Sequence, residues 1–175
     1  MRALLLAAVL RAAPAASVPP DPVEERREAV AREMLGLGSE IRRALEAADP
    51  AALVARIPPE GLRCAGRIVL RRDVAQALAD RGTWLHGALF GGPGYAPAAG
   101  AAPSVRDFLL RAGRDVEVEI GFVADRRAAP VGRPCFQFRP ARGRPAPGGA
   151  PPDISFCFER RGAAWLFTES LFPCG

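Results

Sequence analysis

The chain's one histidine, His86, lies in the run Trp84-Leu85-His86-Gly87-Ala88-Leu89-Phe90, with Asp73 and Asp80 before it and Asp107 after it. An imidazole beside a carboxylate is the smallest set of groups that can do general acid–base work near neutral pH. One expectation is therefore an isomerase- or dehydratase-type enzyme using His86 with Asp73 or Asp107. Trp84, His86 and Tyr95, the only tyrosine, form a candidate ligand-binding set. The structural alternative gives the same residues a half-exposed helical histidine and a tryptophan that anchors its helix. Other reaction classes lack their parts. No GxSxG elbow accompanies any serine, and Gly91-Gly92-Pro93-Gly94 is not followed by the Lys-Ser/Thr of a phosphate loop. No cofactor is expected.

The four cysteines, Cys64, Cys135, Cys157 and Cys174, have no CxxC spacing. With a single histidine, a zinc site would need four distant points, so no metal is expected. An even cysteine count in an oxidising compartment reads as two disulfides, which also removes the free thiolate that a cysteine nucleophile requires. Cys135 and Cys157 fall on the same face of two expected strands, so they can bridge across the sheet, leaving Cys64 to close a loop of about 110 residues with Cys174. Cys64–Cys135 with Cys157–Cys174 is the competing arrangement.

Export fits the N-terminus. Arg2 precedes the apolar run Ala3 to Leu10, and Ala13-Pro14-Ala15 supplies small residues for cleavage, so 1–15 reads as a secretory signal peptide, broken only by Arg11, and 16–22 as a linker. The expected location is periplasmic or secreted, in or around a bacterial cell. No later stretch offers the 18 or more apolar residues of a membrane helix. A net charge of +5 and a pI near 9.8 would suggest nucleic acid, yet all 24 basic residues are arginine, with no lysine or asparagine. That is the mark of a biased genome. The arginines are also scattered among acids, as in Glu24-Glu25-Arg26-Arg27-Glu28, rather than gathered in a stripe, so no nucleic-acid partner is expected. Arg126, Arg127, Arg133, Arg139, Arg142 and Arg144 form the one acid-free basic segment, read as a solvated loop ahead of an anion-binding one.

The elements that would position these groups are legible from periodicity. Val23, Val30, Met34, Leu37, Ile41, Leu45 and Ala48 recur at helical steps, giving a long amphipathic helix over 23–48 with acids early and Arg42 and Arg43 late. Gly36 and Gly38 mark a kink or a close approach in its middle. Asp49-Pro50 restarts a short helix that Pro58-Pro59 ends. Leu62 to Leu70 reads as a short strand, and 73–80, 84–90 and 105–112 as short helices, the last capped by Ser104. Strict alternation then begins. Val116, Val118, Ile120 and Phe122; Phe136 and Phe138; Ile154, Phe156 and Phe158; and Trp165 and Phe167 make one apolar sheet face. Glu117, Glu119, Cys135, Gln137, Arg139 and Cys157 make the other, with Glu117 and Glu119 expected to pair with Arg139 across the sheet. The stretches 91–103 and 141–152 are Gly/Pro-rich and read as flexible loops.

Helices first and strands afterwards indicate an α+β fold: N-terminal helices packed on one face of a twisted antiparallel sheet of about four strands, in a single domain over 23–175. With the closing hairpin Phe156-Cys-Phe-Glu-Arg-Arg-Gly-Ala-Ala-Trp-Leu-Phe-Thr-Glu169, this order resembles the cone-shaped superfamily of ketosteroid isomerases, SnoaL-like proteins and nuclear transport factor relatives. The resemblance implies a pocket between sheet and helices. Catalytic members need an acid or tyrosine inside it, and the inward positions here are almost all apolar, so no catalytic residue carries over. The leading expectation is an exported, disulfide-stabilised, non-catalytic module that binds a small ligand or a protein. Nothing in the pattern dictates an oligomeric state.

Overall fold

A computed structural model describes residues 21–64, 67–144 and 149–168. The expected signal peptide and Cys174 lie outside the described residues, as does the side chain of Cys64, and with them the Cys64–Cys174 pairing. The fold is α+β, with N-terminal helices against a four-stranded antiparallel sheet.

Helix α1 (Pro22–Glu46) starts where Asp21 Oδ1 accepts the Val23 N–H at 2.9 Å and proline occupies the first turn, whose own N–H would have no partner. Met34, Leu37, Ile41, Ala44 and Leu45 are its buried stripe. Ala48, expected to extend that stripe, lies beyond the helix end, exposed at a φ of 51°. The helix runs unbroken through its glycines. Gly38 is a close approach: a Cβ there would stand 3.0 Å from the Val118 side chain, so the missing side chain lets α1 settle on the sheet. A Cβ on Gly36 would meet nothing within 4 Å.

Helix α2 (Pro50–Val54) is capped by Asp49, which accepts from Ala51 and Ala52. The single strand expected over Leu62 to Leu70 is instead a small hairpin, β1 (Leu62–Cys64) with β2 (Arg67–Val69), in the register Leu62↔Val69. An isolated extended run would leave its amides and carbonyls unpaired, and folding back satisfies them locally. Helices α3 (Arg71–Ala79), α4 (Trp84–Phe90) and α5 (Val105–Ala112) follow, the last two with the bounds the periodicity indicates.

The sheet is a meander, β3 (Val116–Val123), β4 (Arg133–Pro140), β5 (Phe156–Arg161) and β6 (Ala164–Phe167), in that spatial order. Its centre is a block of phenylalanines. Phe136 lies opposite Phe156, and Phe158 opposite Phe167, with ring centroids 5.0–5.4 Å apart in these pairs and between Phe136 and Phe158. All four are at most 1% exposed, and Met34, Ile41, Leu45 and Phe108 close over them from the helices. The central part of the space between sheet and helices, where the cone resemblance implies a pocket, is occupied by this core. Val116, Val118 and Ile120 are only half-buried, because β3 is an edge strand with a neighbour on one side. The other edge, β6, is covered: Phe167 N–H donates to Arg56 O at 2.9 Å, and Arg56 Nη1 donates to Trp165 O at 3.3 Å.

On the opposite face Cys135 and Cys157 are register partners with Cα atoms 4.0 Å apart, joined as a disulfide. The expected cross-strand bridge is therefore present. Arg139 pairs with Glu119 at 3.2 Å, the diagonal choice, although Glu117 is its direct partner in register. The two Gly/Pro-rich stretches meet: Ala102 N–H donates to Ala150 O at 2.8 Å, and Ala150 N–H to Gly100 O at 3.0 Å.

Candidate functional site

Strand alternation does not stop at Phe158. The next inward position on β5 is Arg160, and its register partner is Trp165, so the aromatic face ends in a guanidinium beside an indole. The guanidinium stays exposed at the rim of the face, and α1 supplies its partner. Glu33 accepts the Trp165 Nε1–H at 2.7 Å through one oxygen and Arg160 Nη1 at 3.2 Å through the other. The Arg160 guanidinium carbon also stands 5.7 Å from the centre of the Trp165 ring, within cation–π range.

Beside this trio the face opens into a cleft of about 520 Å³, between the first half of α1, the segment 125–134 and the β5–β6 hairpin. Val30, Val131, Phe158 and Trp165 give it an apolar floor, and Arg26, Arg127 and Arg133 stand along it. The segment is held on both sides. Arg27 Nε donates to Val131 O at 3.1 Å while its guanidinium lies over Phe122. Asp125 accepts the Arg127 N–H at 2.9 Å and pairs with Arg133, both side chains being only 16% exposed. The Arg127 amide first, and Arg133 second, hold the Asp125 carboxyl below its ordinary value. Arg26 and Arg127 have no carboxylate within ion-pair distance among the described residues.

A smaller cleft of about 200 Å³ adjoins the first and shares Arg127, Arg133 and Glu159 with it. Its other wall is the β1–β2 hairpin, through Leu62, Arg63 and Ile68. Arg161 bridges Glu60 and Glu159, fastening the approach to that hairpin onto β5. A backbone hydrogen bond, and after it Arg161, keep Glu60 below its ordinary value, and hydrogen bonding to Glu60 raises Arg161. Thr168 also lines this cleft. It is 5% exposed, and its Oγ1 has no hydrogen-bond partner.

The residues singled out for chemistry lie elsewhere. His86 is half-buried on α4, and its Nδ1 is 2.7 Å from Leu78 O. A carbonyl only accepts, so Nδ1 carries the proton in that bond. The His86 ring packs 5.2 Å from Phe90. Asp107 accepts from the buried Ser104 hydroxyl at 2.8 Å while its own N–H donates back to that oxygen at 3.0 Å, a reciprocal helix cap. Asp73 is exposed beside Arg72. Each of the three is accounted for by helix ends and surface pairing. Trp84 and Tyr95 do come together, edge to face at 5.6 Å. Gly87 permits this, since a Cβ there would meet Tyr95 at 2.7 Å.

The sequence pattern does not single out Glu33, Arg160 or Asp125, places Arg127 only in a basic segment read as a solvated loop, and reads Trp165 only as core. One signal was available: the alternation that placed Phe156 and Phe158 inward places Arg160 inward too. Among the described residues no group of three metal-ligating side chains gathers, and no helix is long and apolar enough to cross a membrane. No family model, curated protein or solved structure matches this chain.

Proposed function

We propose that this protein is an exported, disulfide-braced binding module without catalytic function, and that its ligand site is the cleft beside Trp165. The observation that carries the reading is the composition of that cleft. An apolar floor large enough for a small organic molecule sits under a few directed polar groups, the usual make-up of a ligand pocket. Enzymes of the cone type keep a free acid or base inside the space between sheet and helices; here phenylalanine packs the centre of that space, and Glu33, Asp125 and Glu159 at the cleft are each paired with an arginine. The bridge between Cys135 and Cys157 supports an oxidising compartment. The element order, one long helix over a meandering sheet, supports kinship in shape with the cone superfamily.

The test is direct because Trp165 lines the cleft. In the Trp84→Phe variant, Trp165 is the only tryptophan left, and N-phenyl-1-naphthylamine, a neutral apolar probe, should quench its emission saturably while brightening in the blue. Adding Ala29→Trp would block the cleft from an exposed position on α1, so probe enhancement should fall at least tenfold with the fold intact. Equal enhancement with and without Ala29→Trp would reject the site.

A further inference from the structure

Resting on that reading of the larger cleft, we infer that the smaller cleft beside it is a seat for an anionic head, and that the ligand class is an amphipathic monocarboxylate. The two clefts meet at Arg127, whose guanidinium has no carboxylate within ion-pair distance among the described residues. In the lining of the same smaller cleft, Thr168 Oγ1 is a buried hydroxyl with neither donor nor acceptor satisfied. A buried polar group left unpaired is costly, and in native proteins such groups are nearly always bonded to protein, water or a ligand. A carboxylate answers both needs at once. One planar head can take a fork of two N–H donors from a guanidinium, and one of its oxygens can also accept the threonine hydroxyl. The apolar remainder then lies toward Phe158 and Trp165 in the larger cleft.

Charge favours a monoanion over a dianion. Three carboxylates stand around Arg127: Asp125 paired with Arg133, and Glu60 and Glu159 paired with Arg161. The first pair is neutral and the second group carries one negative charge, so with Arg127 and with Arg63, which also lines the smaller cleft, close to one unit of positive charge among the described residues is left for a ligand. A phosphate carrying about two charges would face the same carboxylates with half of its own charge unmatched.

Dodecanoate and dodecanol, equal in chain and different in head, separate the inference from the reading on which it rests. Both would be titrated against the Trp84→Phe protein by Trp165 emission at neutral pH. Dodecanoate should bind at least tenfold tighter, and Arg127→Gln and Thr168→Val, each tested alone, should reduce that preference to threefold or less without weakening dodecanol. Both positions tolerate these changes, since Arg127 is exposed and valine matches threonine in shape. Thr168→Val should also raise the melting temperature of the ligand-free protein by removing the unpartnered hydroxyl. Equal binding of the two probes would overturn the anion seat while leaving the apolar cleft standing. Binding of neither would overturn both. Tighter binding of dodecanoate that survives both substitutions would place the carboxylate elsewhere and reject the assignment to Arg127 and Thr168.

Discussion

The two tryptophans occupy opposite situations, and the contrast separates packing from function in this molecule. Trp84 begins a short helix, meets Tyr95 edge to face, and shares that helix with a histidine hydrogen-bonded to a backbone carbonyl. Every polar group described around it closes a helix end or a turn. Trp165 instead donates to Glu33, stands under Arg160, and borders open volume rimmed by arginines that the fold does not consume. The residue type is the same in both places. What differs is whether neighbouring charge is used up by the fold.

The largest effects should come from the filled half of the inner face. Phe136→Ala should cost about 3–5 kcal/mol in denaturant unfolding, because a ring 1% exposed and stacked on two others leaves a cavity that a sheet centre cannot close. A loss below about 1 kcal/mol would mean that this face is not the core. Replacing Cys135 and Cys157 together by serine should remove about 3 kcal/mol in the chain-entropy model for a closed loop of 22 residues. Mass spectrometry of the wild-type protein from its native host should find those two thiols unavailable to alkylation. Free thiols there would remove the support for an oxidising compartment.

Smaller effects separate the two tryptophan regions. Glu33→Ala strips Trp165 and Arg160 of their common acceptor. It should cost about 1 kcal/mol, since the group is exposed, and should shift Trp165 emission. Trp84→Phe should change stability by well under 1 kcal/mol and leave probe binding intact. If it abolished binding, the site would belong on α4 after all.

The pH dependence of stability offers a further test. Asp125 and Glu60 have folded-state values below their ordinary ones, so the unfolded chain takes up protons at the higher pH. Their contribution is therefore fully present above the ordinary carboxylate range and is lost as pH falls through the lowered folded values. Asp125→Asn and Glu60→Gln should each flatten the acid limb of a plot of stability against pH. An unchanged limb would show that these pairs do not hold the segment and the hairpin in place.

Local rules carried much of the fold by themselves. The steps from Met34 to Leu45 are a helix stripe wherever they occur, Asp49-Pro50 and Ser104 are helix starts, and a run such as Val116 to Phe122 has one way to lie in a sheet. These features depend on neighbours within a few residues, which the chain dictates directly. Parity also puts Cys135 and Cys157 on one face, which allows their bridge beside the competing pairing through Cys64 and Cys174, and the strand order decides for it. The hairpin at Leu62–Val69 and the site did not follow, since they depend on distances across the chain. Whether His86 meets a carboxylate, whether a cavity lies beneath the helices, and which of 24 arginines keep an unspent charge are settled by packing. Glu33 reaches Arg160 and Trp165 across about 130 residues of sequence. Arg127 and Thr168 face one hollow only because a loop and a strand end are folded against the same hairpin. Composition and alternation name the faces of this protein, and long-range contact decides which of them is filled and which is left open to a ligand.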